Sequence, residues 1–277
     1  MGLFSGMEKF GLSNFKDAEV LQKNNQKVAD MMEKATAVPE FKEEDALFDK
    51  HYTCPVCDLK FATRSIRAGK VKLKDKDIDL RPIYENIDPL KYDVITCDKC
   101  GYSSLVRYFG KLTVRQSKEI KEAVGTNFKG INNDMQVYSY DDAIERYKLA
   151  LICSIVKNAK NGERAYTLLK LAWVIRGKRS GLSPKDEEYK ALYNEEIECI
   201  KNAYDGFVQA ISNEPFPIAG MDENTLKYIM SDMARRLKKY DEAAKLLGSV
   251  ITSKTANSRL KEEALKLKEI IKSELKS

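Results

Sequence analysis

The sequence holds a single histidine, His51, and a single tryptophan, Trp173. One imidazole cannot form a histidine-based catalytic metal site. Any Ser-His-Asp or Cys-His arrangement would have to pass through His51. Phosphate-cradling glycine patterns are missing, because neither GxxxxGK[ST] nor a GxGxxG after a strand occurs. Long apolar runs are missing too. The longest, around residues 149–156, is far too short to span a bilayer. The first residues, MGLFSGMEKF, lack the basic region and apolar stretch of a secretory signal, and Gly6 stands where myristoylation needs Ser or Thr. Acidic residues are plentiful, but no carboxylate pair is singled out. These absences lead us to expect a cytoplasmic, non-enzymatic protein with no membrane span.

What is present suits a globular, helix-rich chain. Of 277 residues, 43% are hydrophobic and 32% charged, enough for about two domains with a proper core. The formal charge of +6 is mildly basic. It permits a nucleic-acid or acidic partner without arguing for one, since domains built for that purpose concentrate charge more strongly.

Two stretches carry the chemistry: HYTCPVCDLKF from His51 and VITCDKCGYSS from Val94. Each places two cysteines three positions apart. In a reducing compartment such pairs point to metal or thiol chemistry rather than to structural disulfides. A CxxC turn presents two sulfurs to one ion, and two such turns complete a tetrahedral shell. Pro55 stiffens the first turn, and Gly101 allows a positive φ after the last cysteine of the second. Cys54, Cys57, Cys97 and Cys100 are therefore the expected ligands. The gap of roughly 40 residues exceeds that of an ordinary zinc ribbon, so the intervening segment must loop out and return, with DVITC as the returning strand. Zinc is the favoured ion. Iron is the alternative, because CPVC and CDKCGY also look like rubredoxin knuckles. A closed four-thiolate site leaves no open coordination position and is structural. The rival is thiol redox chemistry, which typically needs a cysteine activated at a helix N-terminus.

Other candidates read more plainly. His51, three residues before Cys54, is expected to be a solvated or packing residue. Cys153 and Cys199 fall on apolar helix faces and are expected in the core. Arg64, Arg67, Lys70, Lys72, Lys74, Lys76 and Arg81 form a basic series. Lys70, Lys72, Lys74 and Lys76 alternate and would share one strand face, either solvated or in contact with phosphates, with Asp75, Asp77 and Asp79 on the other side.

The pattern along the chain divides it into three. Residues 1–50 read as a helical leader, with Leu3, Phe4, Met7 and Phe10 at helical spacing and a second helix from Val20 to Met32. Residues 51–111 read as a zinc-ribbon-like four-cysteine module with a basic hairpin insert, in which Val71 and Leu73, Ile78 and Leu80, and Tyr92 to Thr96 alternate as strands do. Residues 112–277 read as a helical domain. Ala143, Ile144, Tyr147, Ala150, Leu151 and Ile155 form one stripe; Ala165, Tyr166, Leu169, Ala172 and Trp173 form the next, closed by Gly177. Ser183 caps a long third helix with Pro184 at its first position. YDDAIERYKLA at Tyr140 and YDEAAKLLGSV at Tyr240 resemble each other and the start of the second helix of a tetratricopeptide repeat, about three repeat lengths apart. The fold class expected is α+β, mainly α: a small strand-containing four-cysteine metal module followed by a tetratricopeptide-like α-helical domain.

YTCPVCDLKF, DIDLRPIYENIDPLKYDVITCDKCGYSS and the helical tail together resemble the bacterial family called domain of unknown function 2225. The resemblance covers nearly all of the chain after about residue 45. It implies this architecture and a bacterial cytoplasmic setting, and brings no known activity. Arg81, Tyr84, Asp88, Pro89 and Tyr92 lie in the matching run and are expected to surround the metal ligands. The favoured reading is a zinc-stabilised interaction or scaffold protein whose helical half takes a protein or peptide. The alternatives are a nucleic-acid-binding zinc-ribbon protein, using the basic insert, and a rubredoxin-like or thiol redox protein.

Overall fold

Strands come first in the chain and long helices follow, so the two periodicities of the sequence occupy separate stretches. The computed structural model describes residues 41–276. The helices expected around Leu3–Phe10 and Val20–Met32 lie outside the described residues.

Three antiparallel hairpins make up the strand region. They are β1 (Leu47–Thr53) with β2 (Lys60–Ile66), β3 (Leu73–Lys76) with β4 (Pro82–Tyr84), and β5 (Val94–Thr96) with β6 (Ser103–Leu105). The sequence reading names strand segments only from Val71 onward. It misses the longest pair, β1–β2. Ile78 and Leu80, expected on a strand, form the turn between β3 and β4 instead. Leu80 adopts φ +64° there, and the Asp77 N–H donates to the Arg81 carbonyl at 2.8 Å. This tight turn swings Asp79 away from solvent. A register shift between Leu73 and Asp75 also breaks the expected lysine face. Lys70 and Lys74 are exposed, whereas Lys76 turns to Glu263 at 3.4 Å.

Seven α-helices lie among the described residues. The first, α1 (Val114–Ile120), is short; its N-cap Thr113 forms a capping box with Gln116 and it continues into one wide turn at Lys121–Gly125. Then come α2 (Tyr140–Val156), α3 (Asn161–Arg179), α4 (Glu187–Asn213), α5 (Glu223–Arg236), α6 (Tyr240–Thr252) and α7 (Ser258–Glu274). Local chemistry sets several starts. Ser139 and Asp142 form a capping box on α2, Asp222 accepts from the Thr225 N–H at 2.8 Å, and Asn257 accepts from the Leu260 N–H at 2.8 Å. α4 begins three residues later than its sequence signal suggests. Ser183 caps the turn that precedes it, and Asp186 takes the N-cap position. Among the described residues, no helix is long and apolar enough to cross a membrane.

The main core is built by α2 to α7 with Leu90, Val94 and Leu105 from the strand region. Fully burying side chains such as Phe207, Ile200 and Leu247 stabilises by about 1.5–3 kcal/mol each. α2 packs on both α3 and the β5–β6 hairpin. Its buried face therefore widens to include Cys153 and Ser154, while Ile155 from the expected stripe is left 56% exposed. α3 is buried on several sides, and Gly177 lies inside it rather than ending it. The two Tyr-Asp-acid-Ala stretches open α2 and α6, with Ala143 and Ala243 both fully buried.

A buried ion network joins the β3–β4 turn to these helices. Asp79 accepts from Trp173 Nε1 at 2.8 Å and from Arg176 Nη2 at 2.7 Å. Glu196 on α4 has no solvent exposure. It accepts from Arg176 Nε and Arg179 Nη2, each at 2.7 Å, and from Arg236 of α5. Burial pushes both carboxyls up, but the guanidinium groups outweigh it and hold Asp79 and Glu196 below the usual carboxylate range.

Candidate metal centre

Each CxxC pair is the turn of its own hairpin. Thr53 pairs with Lys60 across the first and Thr96 with Ser103 across the second. The two turns repeat one hydrogen-bond pattern. The Cys54 N–H donates to the Leu59 carbonyl and the Asp58 N–H to the Cys54 carbonyl; Cys97 with Tyr102 and Gly101 with Cys97 repeat it, all four at 2.9–3.0 Å. The residue after the second cysteine has positive φ in both, Asp58 at +59° and Gly101 at +70°. At Gly101 glycine is required twice over, because a Cβ there would lie 2.6 Å from the Phe128 ring. The sequence reading foresees this at Gly101. Asp58 holds the same geometry with a side chain, as Asp can in a left-handed position.

The two knuckles face each other. Cys54 and Cys100 Sγ lie 3.5 Å apart and Cys57 and Cys97 Sγ 3.6 Å, and all four sulfurs lie within 4.8 Å of one another. Sulfurs bound to one zinc at about 2.3 Å stand about 3.8 Å apart in a tetrahedron, so the observed spread fits a single ion. No disulfide is formed. Cys54, Cys97 and Cys100 are buried and Cys57 half-buried, and the Val56 N–H points to Cys54 Sγ at 3.4 Å. The four cysteines could thus hold a metal ion as a set. His51 sits exposed on β1, outside the cluster.

Electrostatics explain why an ion suits the site. Thiol hydrogen bonds from Cys100 and then Cys54 hold Cys97 well below its ordinary range. The Cys100 thiol likewise pulls Cys54 down, but hydrogen bonding with Cys97 and burial prevail and push it up. Hydrogen bonds with Cys54 and Cys97, together with burial, push Cys100 up strongly. Without a cation the cluster therefore favours a negative charge at Cys97 and resists one at Cys54 and Cys100. A divalent ion held by all four as thiolates would remove that resistance.

Helical residues clamp the knuckles from outside. Ser117 Oγ on α1 donates to the Pro55 carbonyl at 2.6 Å. Cys153 on α2 is buried among the same residues; it receives the Ser103 N–H at 3.4 Å and approaches the Gly101 carbonyl at 3.7 Å. Asn133 donates to the Thr96 carbonyl at 3.0 Å and is itself held by Arg146 Nη1 at 2.8 Å. Arg146 stacks over the Tyr138 ring at 4.1 Å. Sequence reasoning misses Ser117, Phe128, Asn133 and Arg146. Ser117 and Arg146 lie on helices and Phe128 and Asn133 in the segment between them, so their roles depend on how distant parts of the chain meet, and no spacing rule carries that.

The residues expected around the ligands lie elsewhere. Arg81 and Asp88 pair with each other at 3.2 Å, Tyr140 donates to Asp88, and Tyr92 donates to Glu43. The run leads into β5 and so to Cys97, but its polar groups face a different region. The basic series is also mostly engaged. Arg64 pairs with Asp49, Lys72 with Glu85, Lys76 with Glu263, and Arg81 with Asp77 and Asp88. Arg67 donates to the Leu47 carbonyl. Cys153 and Cys199 are buried and free.

A family model described as "Uncharacterized protein conserved in bacteria (DUF2225)" matches residues 47–271, and the chain belongs to that family. No curated protein and no solved structure matches it.

Proposed function

We propose that this family member is a non-enzymatic, zinc-stabilised interaction protein of the bacterial cytoplasm. The observation that carries the reading is the convergence of four thiols within 4.8 Å, a set that a single ion would use in full. Such a shell has no vacant position for substrate, so the ion fixes a framework rather than activating water. The knuckles are hairpin turns rather than helix N-termini, which speaks against thiol redox chemistry. Six free cysteines suit a reducing compartment. For the helical half, the α5–α6 hairpin followed by α7 supports a tetratricopeptide-like surface. Ala243 and Leu247, four residues apart on α6, are both buried, as the small and large positions of such a helix should be. That half is the part proposed to take a protein or peptide. Because most of the basic insert is neutralised internally, the nucleic-acid alternative gains nothing from it.

Metal analysis of protein purified from its native host tests the first part. One zinc per chain and a colourless preparation are expected. A red protein containing iron, or a folded protein with no metal, overturns the assignment. Affinity capture followed by mass spectrometry tests the second. A stoichiometric protein partner retained by residues 112–277 is expected, and salt-sensitive nucleic acid in its place would favour the alternative.

A further inference from the structure

A cavity of about 550 Å³, well within the range of small-molecule sites, lies beside the RPIYENIDPLK segment and away from the cysteines. Three cations line it, Arg81, Lys91 and Arg176, and so do three carboxylates, Glu43, Asp77 and Asp88. Arg176 makes a useful internal reference. Its guanidinium uses four of its five donors in hydrogen bonds of 2.7–3.0 Å to Asp77, Asp79 and Glu196. Arg81 is buried to a similar degree, with 10% side-chain exposure, yet among the described residues it makes only two side-chain hydrogen bonds, one from each Nη at 3.2 and 3.5 Å, which leaves one N–H on each Nη unused besides the buried, unpartnered Nε. A guanidinium carries five N–H donors. Leaving most of them unused at such depth is costly unless an acceptor comes from outside the chain.

The acids show the opposite surplus. Arg81 and Arg176 both bond to Oδ2 of Asp77, and Lys91 and Tyr92 both bond to Oε1 of Glu43. Among the described residues, Asp77 Oδ1 and Glu43 Oε2 accept no side-chain hydrogen bond. The cavity thus offers spare donors and spare acceptors together, with no net charge in its lining. A ligand of one sign would leave one set unsatisfied. Pro82, Ile83 and Ile87 add an apolar wall. Gly177 lets the floor close, since a Cβ there would lie 2.6 Å from Tyr140 Cε1 and 2.9 Å from Arg81 Nη2. A glycine inside a helix costs about 1 kcal/mol relative to alanine, and this contact gives a reason for it.

We infer that this cavity binds a small zwitterion of the free amino-acid class, with its carboxylate on Arg81 and its ammonium on the spare acidic oxygens. The inference goes beyond the interaction reading and does not depend on zinc. Calorimetry of the purified, metal-containing full chain against the common L-amino acids, one at a time, tests it. Saturable binding of one or a few is expected, with the matching deaminated acid and decarboxylated amine each at least about tenfold weaker, a difference of about 1.4 kcal/mol. Arg81→Gln should weaken binding by the same factor or more. Ser180→Leu, which narrows the cavity without touching an ion pair, should do so as well, and it decides the matter if Arg81→Gln fails to fold. Absence of saturable binding overturns the proposal. So does equal binding of acid or amine alone, or wild-type affinity in the folded variants. A chain that proves to lack zinc yet binds an amino acid would sink the metal reading and leave this one standing.

Discussion

The cysteine cluster and the Asp79 network both tie the strand region into one structure, across different spans and by different means. The cluster joins residues 40 apart, Cys57 and Cys97, through knuckles that repeat each other. The network joins Asp79 to Arg176, 97 positions on, through a single carboxylate aimed by an irregular turn. In the cluster the four thiols would become mutually repelling thiolates on ionisation, and a cation would have to come from solution. In the network the cations are already present as arginine side chains. A buried charge is thus tolerated in two ways here, and the cost of removing a member differs accordingly.

The largest expected effect comes from breaking the cluster. Cys97→Ser should release the metal and forfeit binding energy that, in small zinc domains, is on the order of 10–16 kcal/mol of folding energy. Metal analysis, circular dichroism and proteolysis should show residues 51–111 becoming cleavable while the long helices persist. Unchanged proteolysis would remove the structural role of the site. Glu196→Ala comes next. It leaves Arg176, Arg179 and Arg236 without their shared, fully buried acceptor, and should cost about 3–5 kcal/mol in denaturant unfolding. A loss below about 1 kcal/mol would mean that the network is dispensable.

Acid separates the two regions by order rather than by size. Asp79 and Glu196 have depressed folded values, so their contribution is present above the ordinary carboxylate range near pH 4 and is lost only as pH falls through those lower values. Cysteine ligands must lose their protons to bind a metal, so protons compete with the ion at the cluster as pH falls. On acidification the metal should therefore leave first, followed by loss of helical structure at lower pH. The reverse order, seen by a metal indicator and far-ultraviolet dichroism, would contradict this account. The smallest expected effect sharpens the comparison between the knuckles. Gly101→Ala puts a side chain at φ +70° against Phe128, and should cost about 1–3 kcal/mol. Chelator competition should show faster metal loss for this variant than for Asp58→Gly, which relaxes the equivalent position.

Legibility follows the range of the interactions. The cysteine spacing and the positive φ at Gly101 are local rules, and each can be read from a few neighbouring residues. β1 and β2 escape notice because the turn between them is the knuckle itself, which replaces the usual hairpin signals. The lysine face fails at the register shift between Leu73 and Asp75. Arg81, Tyr84 and Asp88 look like companions of Cys97 because they precede it closely, yet Arg81 bonds to Asp88 and Asp88 also accepts from Tyr140. Asp79 and Glu196 read as two more surface acids in a chain rich in them.

The sequence by itself determined which four cysteines form the candidate ligand set, the mainly helical second half and the buried places of Cys153 and Cys199, because periodicity and spacing act within one or two turns of chain. Tertiary structure alone decided that the two knuckles meet, that Ser117, Asn133 and Arg146 support them, and that Asp79 enters the helical layer. Those outcomes depend on which faces of distant elements come into contact, and burial then fixes the charge state and partners of whatever side chain lies at the contact.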